Sequence, residues 1–212
     1  RAIPLYRDYI QLSPGTEYEN KVAHYNLGYC YFNTQRWGDA AASFHKFLSV
    51  YPTRDNLRAD AYNRLGDAAF AQRDYREAVN NYDQAIRLNA PATDYAQFQR
   101  AVMLGLLDQR DRKIESLRDI ISSGKGDYVD DAMYELGRTY VQTERFNDGA
   151  AVLKRLTATY PESPYYLPAL SQLGLTYQNL GNGNEALRYY KQIVAEFPSS
   201  RQAKDAMLSI RN

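Results

Sequence analysis

Apolar positions along this chain recur at helical spacing. Leu170, Leu173, Gly174 and Tyr177 stand at i, i+3, i+4 and i+7, one face of a 3.6-residue helix. After a turn at 180–185, Ala186, Tyr190 and Ile193 follow at i, i+4 and i+7. The same order occurs near the start, with His24, Leu27, Gly28 and Tyr31, then Ala40, Phe44 and Phe47. Each set predicts helix, tight turn, helix, closed by a proline that a helix interior does not accept.

A glycine inside each first helix needs a reason, because it costs roughly 1 kcal/mol against alanine. It recurs as Leu27-Gly28, Leu65-Gly66, Leu136-Gly137 and Leu173-Gly174. Small alanines follow on the next helix at Ala40, Ala78 and Ala186. The expectation is that glycine and alanine face each other where the helices cross, a side chain at either place holding the backbones apart. The first interval is 38 residues and the last 37; the 71 between Gly66 and Gly137 leave room for two units, with Ala101 in the marker place of the hidden one. Aromatic–proline pairs end three units, at Tyr51-Pro52, Tyr160-Pro161 and Phe197-Pro198, and Pro91 ends another. A self-similar period of this length predicts a solenoid of stacked units.

The predicted segments are a half-unit at 1–15, repeats at about 16–52, 53–91, 92–126, 127–161 and 162–198, and a half-unit at 199–212. In the first half-unit Ala2, Tyr6 and Tyr9 hold second-helix spacing before Pro14, and Pro4 predicts a late or frayed helix start. The chain is expected to be a piece of a longer one, since Arg1 is not an initiator methionine and both ends fall mid-array. The third unit departs from the pattern with Ala101 and Lys113, and the fourth with Gly149.

The unit resembles the tetratricopeptide repeat. The first matches with Leu27, Gly28, Tyr31, Ala40, Phe44 and Pro52, with Phe47 where alanine is usual; the last matches with Leu173, Gly174, Tyr177, Ala186, Tyr190 and Pro198. The resemblance covers essentially the whole chain. It implies an all-α, right-handed α-solenoid (superhelix) of antiparallel helix pairs in one domain, acting as a non-catalytic protein–protein interaction scaffold. In that family first helices line a concave groove that takes a peptide or helix of a partner. Carried onto this chain, the groove residues are Tyr25, Tyr29, Phe32, Asn63, Asp67, Phe70, Phe98, Val102, Tyr134 and Arg138. A subclass grips C-terminal carboxylates with lysine and asparagine, and those places hold Tyr25, Tyr29, Arg64 and Phe98 here, so that ligand is not expected. Units longer than 34 residues are similar to those of bacterial cell-envelope repeat proteins, which implies a periplasmic or envelope location rather than a cytoplasmic one.

Composition narrows the rest. A formal net charge of +1 argues against a nucleic-acid partner, and no apolar run approaches the roughly 18 residues of a membrane span. The lone Cys30 allows no internal disulfide. His24 and His45 have no partner at ligand spacing, so no metal or other cofactor is expected. The stretch 122–127 lacks the Ser or Thr that follows lysine in a phosphate-binding loop, and Asp130-Asp131 reads as a helix start. Twenty tyrosines point to ring packing or to an aromatic binding surface. No catalytic constellation is visible. Two other readings stand beside the scaffold: a structural spacer that self-associates through its end units, and the substrate-presenting region of a larger enzyme.

Overall fold

The computed structural model describes residues 2–13, 18–89 and 93–211. Among these the chain forms α-helices and no strand. In order they are α1 (Ala2–Leu12), α2 (Tyr18–Asn33), α3 (Trp37–Val50), α4 (Asn56–Ala71), α5 (Tyr75–Arg87) and α6 (Thr93–Leu106). There follow α7 (Arg110–Ser123), α8 (Val129–Gln142), α9 (Phe146–Thr159), α10 (Tyr166–Asn179), α11 (Gly183–Glu196) and α12 (Arg201–Arg211). Pro14 and Pro91, expected to close the first half-unit and the second repeat, lie outside the described residues. Packing divides the chain into two units, Arg1–Lys113 and Ile114–Asn212.

Each unit is an α-solenoid of antiparallel helix pairs. In the first, α2 pairs with α3 and α4 with α5, and the first helices α2, α4 and α6 also touch in succession. In the second, α8 pairs with α9 and α10 with α11, and α8, α10 and α12 touch in the same way.

The packing reason for the glycines differs from the one expected. A Cβ on Gly28 would lie 2.8 Å from the Phe44 ring, on Gly66 2.5 Å from Tyr82, on Gly137 2.6 Å from Leu153 and on Gly174 2.4 Å from Tyr190. The facing residue always stands sixteen positions on. Each glycine is therefore a notch for one large side chain, four residues past the alanine position. Phe44 and Tyr82 are 0% and 1% exposed, so these rings are fixed core. At Gly149 the backbones themselves crowd, where a Cβ would meet the Gly137 carbonyl oxygen at 3.1 Å. Lys113, the departure in the third repeat, lays its stem over Gly105, where a Cβ would come within 2.9 Å of Lys113 Cδ.

The turns inside the repeats are equally regular. Gln35, Arg73, Asp108, Glu144 and Gly181, each seven places after the marker, all have positive φ. The next residue's N–H then reaches back five places, as in Arg36 to the Tyr31 carbonyl, Asp74 to Ala69 and Asn182 to Tyr177. This is the Schellman closure of a helix C-terminus, which a left-handed residue makes possible. Asp74 and Asn182 then cap the following helix, accepting from the Glu77 and Glu185 N–H.

Three expectations need correction. The α1 helix begins at Ala2 despite Pro4, because a first-turn residue has no intrahelical N–H bond to lose. Its packing side is Ile3, Tyr6 and Ile10, while Ala2 and Tyr9 are exposed. On α2 the buried stripe is Asn20, Ala23, Leu27, Gly28 and Tyr31; His24 stands half-buried at its edge, its pKa lowered by burial and by Lys46.

Opposite effects are expected at two positions. Gly66→Ala overpacks the Tyr82 notch and should lower unfolding free energy by about 2 kcal/mol. Glu144→Gly relieves a left-handed side-chain residue and should raise it by about 1 kcal/mol. Urea denaturation of both variants beside the wild type measures each change.

Candidate functional site

The first-helix face of the Arg1–Lys113 unit carries a continuous polar and aromatic row. On α2, Tyr25 and Tyr29 meet edge to face with centroids 5.1 Å apart. Both rings rest on Phe44, the residue that fills the Gly28 notch, at 5.9 and 5.6 Å. Their hydroxyls cross to α4 and donate to one oxygen, Asp60 Oδ2, at 2.7 and 2.5 Å.

Asp60, Arg64 and Asp67 lie at i, i+4 and i+7 on α4 and so share a face. Arg64 Nη1 is 2.7 Å from Asp67 Oδ2, and Nε is 3.6 Å from Asp60 Oδ1, within ion-pair range but longer than a hydrogen bond. The guanidinium also lies 5.7 Å from the Phe32 ring centroid and 5.4 Å from that of Tyr95 on α6. Asp67 Oδ1 accepts from two further hydroxyls, Tyr82 at 2.7 Å and Tyr95 at 2.6 Å. Two carboxylates thus each collect a pair of tyrosines, with one arginine between them. Tyr82 is also the ring in the Gly66 notch, so core packing and surface row share a side chain.

Ionisation follows from this arrangement. Burial, then the hydrogen bond to Asp60, pushes the Tyr29 hydroxyl up to about 12. Tyr25 and Tyr82 are raised further, in both cases chiefly by burial with the neighbouring carboxylate adding to it. At Arg64 burial acts to lower the pKa, but Asp67 and Asp60 outweigh it and the net shift is upward.

The residues carried over from the family pattern separate into groups. Tyr25, Tyr29, Phe32 and Asp67 belong to the row, Val102 is half-buried on α6, and Phe70 is 46% exposed at the end of α4 beside Tyr75. Asn63 and Phe98 are instead 2% and 9% exposed, which places both in the core. In the other unit, Tyr134 stacks on Tyr165 at 4.8 Å and 23°, and Arg138 lies over the Tyr134 ring while its Nη1 sits 2.8 Å from Glu135. Asp130 and Asp131 do more than start α8: they accept from Ser163 and Tyr165 and fasten the loop that follows Pro161. Asp60 and Tyr95 have no place in the family pattern, and Arg64 entered there only to exclude a carboxylate clamp. For Asp60 and Arg64 the sequence signal was the alternating charge at helical spacing on α4, whereas Tyr95 on α6 carried none.

Arg64→Met would leave two part-buried carboxylates facing each other and should lower stability by about 2 kcal/mol in urea unfolding. For Tyr29 the folded pKa lies above the unfolded value of 10.0, so its contribution is whole below pH 10 and is lost as pH rises through about 12. Tyr29→Phe should therefore flatten the fall of unfolding free energy across that interval.

Comparisons with known proteins agree with this architecture. Family models described as tetratricopeptide repeat match residues 21–89, 131–163 and 168–200. None of the curated proteins matches the sequence. Among solved structures, the chain is similar to YrrB, described as a TPR protein with an unusual peptide-binding site, at 17% identity and a TM-score of 0.69, covering 95% of this chain and 97% of that one. It is also similar to PilW, a type IV pilus biogenesis factor, at 19% identity and 0.69, covering 95% and 87%. MamA from Desulfovibrio magneticus RS-1 matches at 16% identity and 0.69, covering 85% and 97%.

Proposed function

Because this chain belongs to the tetratricopeptide repeat family, we propose that it is a non-catalytic interaction scaffold holding a segment of a partner protein along its first helices. The observation that carries this reading is the braced aromatic row on α2, α4 and α6. Rings already fixed by Asp60, Arg64 and Asp67 lose little freedom on binding, so their area counts toward affinity. Two carboxylates against one guanidinium leave an excess negative charge, which favours a segment with a basic side chain among apolar ones. Tyr25, Tyr29, Phe32, Phe70 and Val102 are the contact residues in this unit. Tyr134 and Arg138 offer a smaller ring-and-cation patch in the other.

Self-association through the ends is the second reading. It is supported by exposed apolar side chains on the terminal helices: Leu5 at 70% and Leu12 at 82% on α1, Met207 at 40% and Leu208 at 61% on α12. A bacterial cell-envelope setting belongs to the same proposal, supported by intervals of 37 and 38 residues and by the likeness to PilW.

A photo-cross-linking residue placed at Phe70 or Val102 should give a discrete partner adduct in the source cells. The same residue at Arg76, exposed on α5, should give none. Equal labelling from all three positions would rule out the first-helix face. Adducts of twice the chain mass, formed from Leu5 or Leu208 instead, would favour self-association.

A further inference from the structure

The geometry points to a second binding site in the Ile114–Asn212 unit: a groove between α7 and α9 that takes an acidic, partly apolar peptide segment. The groove encloses about 390 Å³, with Arg118 on one wall, Arg155 on the other and Met133, Leu136, Tyr140 and Val152 at its base. Its walls are the second helices α7 and α9 and its base is mostly α8, so it shares no residue with the α2, α4 and α6 row described above.

The charges in this groove are unevenly satisfied. Asp148 also lines it, but that carboxylate is held by Arg145 at 2.5 Å. Neither Arg118 nor Arg155 has a carboxylate partner among the described residues. Arg118 is oriented all the same, because its guanidinium lies 5.7 Å from the Tyr140 ring centroid, with Arg145 against the same ring at 4.3 Å. Two guanidiniums over an apolar base match a carboxylate side chain next to an aliphatic one.

Two equivalent grooves of other repeats lack this combination. Between α3 and α5 the place of Arg118 is taken by His45, and Asp74 and Glu77 face it. Between α9 and α11 it is taken by Lys154, in a space of about 240 Å³ where Arg188 is already paired with Glu185. Of these three grooves, the α7–α9 one alone joins two arginines without a carboxylate partner among the described residues to an apolar base. A nucleic acid would call for a longer track of cations and exposed stacking rings, whereas Tyr140 is 2% exposed.

Fluorescence anisotropy with a short fluorescein-labelled peptide of alternating glutamate and leucine tests this. The peptide should bind saturably, and replacing its glutamates by glutamine should weaken binding about tenfold. Raising salt from about 50 to about 300 mM should weaken it as well. Arg118→Gln with Arg155→Gln should also cost about tenfold in affinity, and because both side chains are exposed the variant should keep the helical circular dichroism of the wild type. The single variant Arg155→Glu, away from Tyr140, should act in the same direction. Phe70→Ala, in the other unit, should change nothing, which separates this site from the proposed partner face. Equal affinity for the two peptides, insensitivity to the arginine variants or no saturable binding would overturn the inference. So would tighter binding of a labelled thymidine oligonucleotide lost in the same double variant, which would assign the groove to nucleic acid.

Discussion

The fit of one large side chain into one glycine notch is the contact on which this architecture rests. It joins the two helices of a repeat at a fixed separation of sixteen residues, with Phe44, Tyr82, Leu153 and Tyr190 as the inserted groups. An interior glycine weakens a helix, and the inserted side chain more than offsets that by burying its apolar surface completely or nearly so. The notch also sets orientation. Phe44 supports the rings of Tyr25 and Tyr29, and Tyr82 extends past its notch to place a hydroxyl on Asp67. The polar row on the surface is therefore an outgrowth of the packing beneath it.

The three-residue turns supply the other half of this regularity. A helix that ends on a left-handed residue reverses direction in the least chain, and the residue after it can close one helix while starting the next. Four of the five positions use a side chain where glycine would be the relaxed choice: Gln35, Arg73, Asp108 and Glu144. Their strain is small beside the burial that the reversal permits, so each repeat tolerates it.

Helix positions and turns were legible because each is a local property: a 3.6-residue period, a glycine, a proline. The identity of the notch filler was harder to read, since Ala186 and Tyr190 both lie on the inward stripe and only their heights across the interface tell them apart. Surface assignment was least legible. Asn63 and Phe98 lie beside the packing stripe on a helical wheel, yet both are buried, in a stack whose successive first helices also touch. The bonds from Tyr25 and Tyr29 to Asp60 span 35 and 31 positions and follow no period. Nothing short of the packed helices brings those groups together. Lys113 shows the reverse case, an apparent break in the pattern that is accommodated by a glycine elsewhere, Gly105.

The constancy of the three-residue turn bears on how the chain acquires its structure. Every notch is filled by a residue sixteen positions away, so the decisive contacts close short loops and the entropy lost in forming them is small. Topologies of this kind reach the native state quickly, and any repeat can serve as the nucleus from which neighbours zip outward. The same locality works in reverse on unfolding. Helices α1 and α12, with most of their apolar surface exposed or only half covered, open first, and backbone amides beneath the notches exchange last.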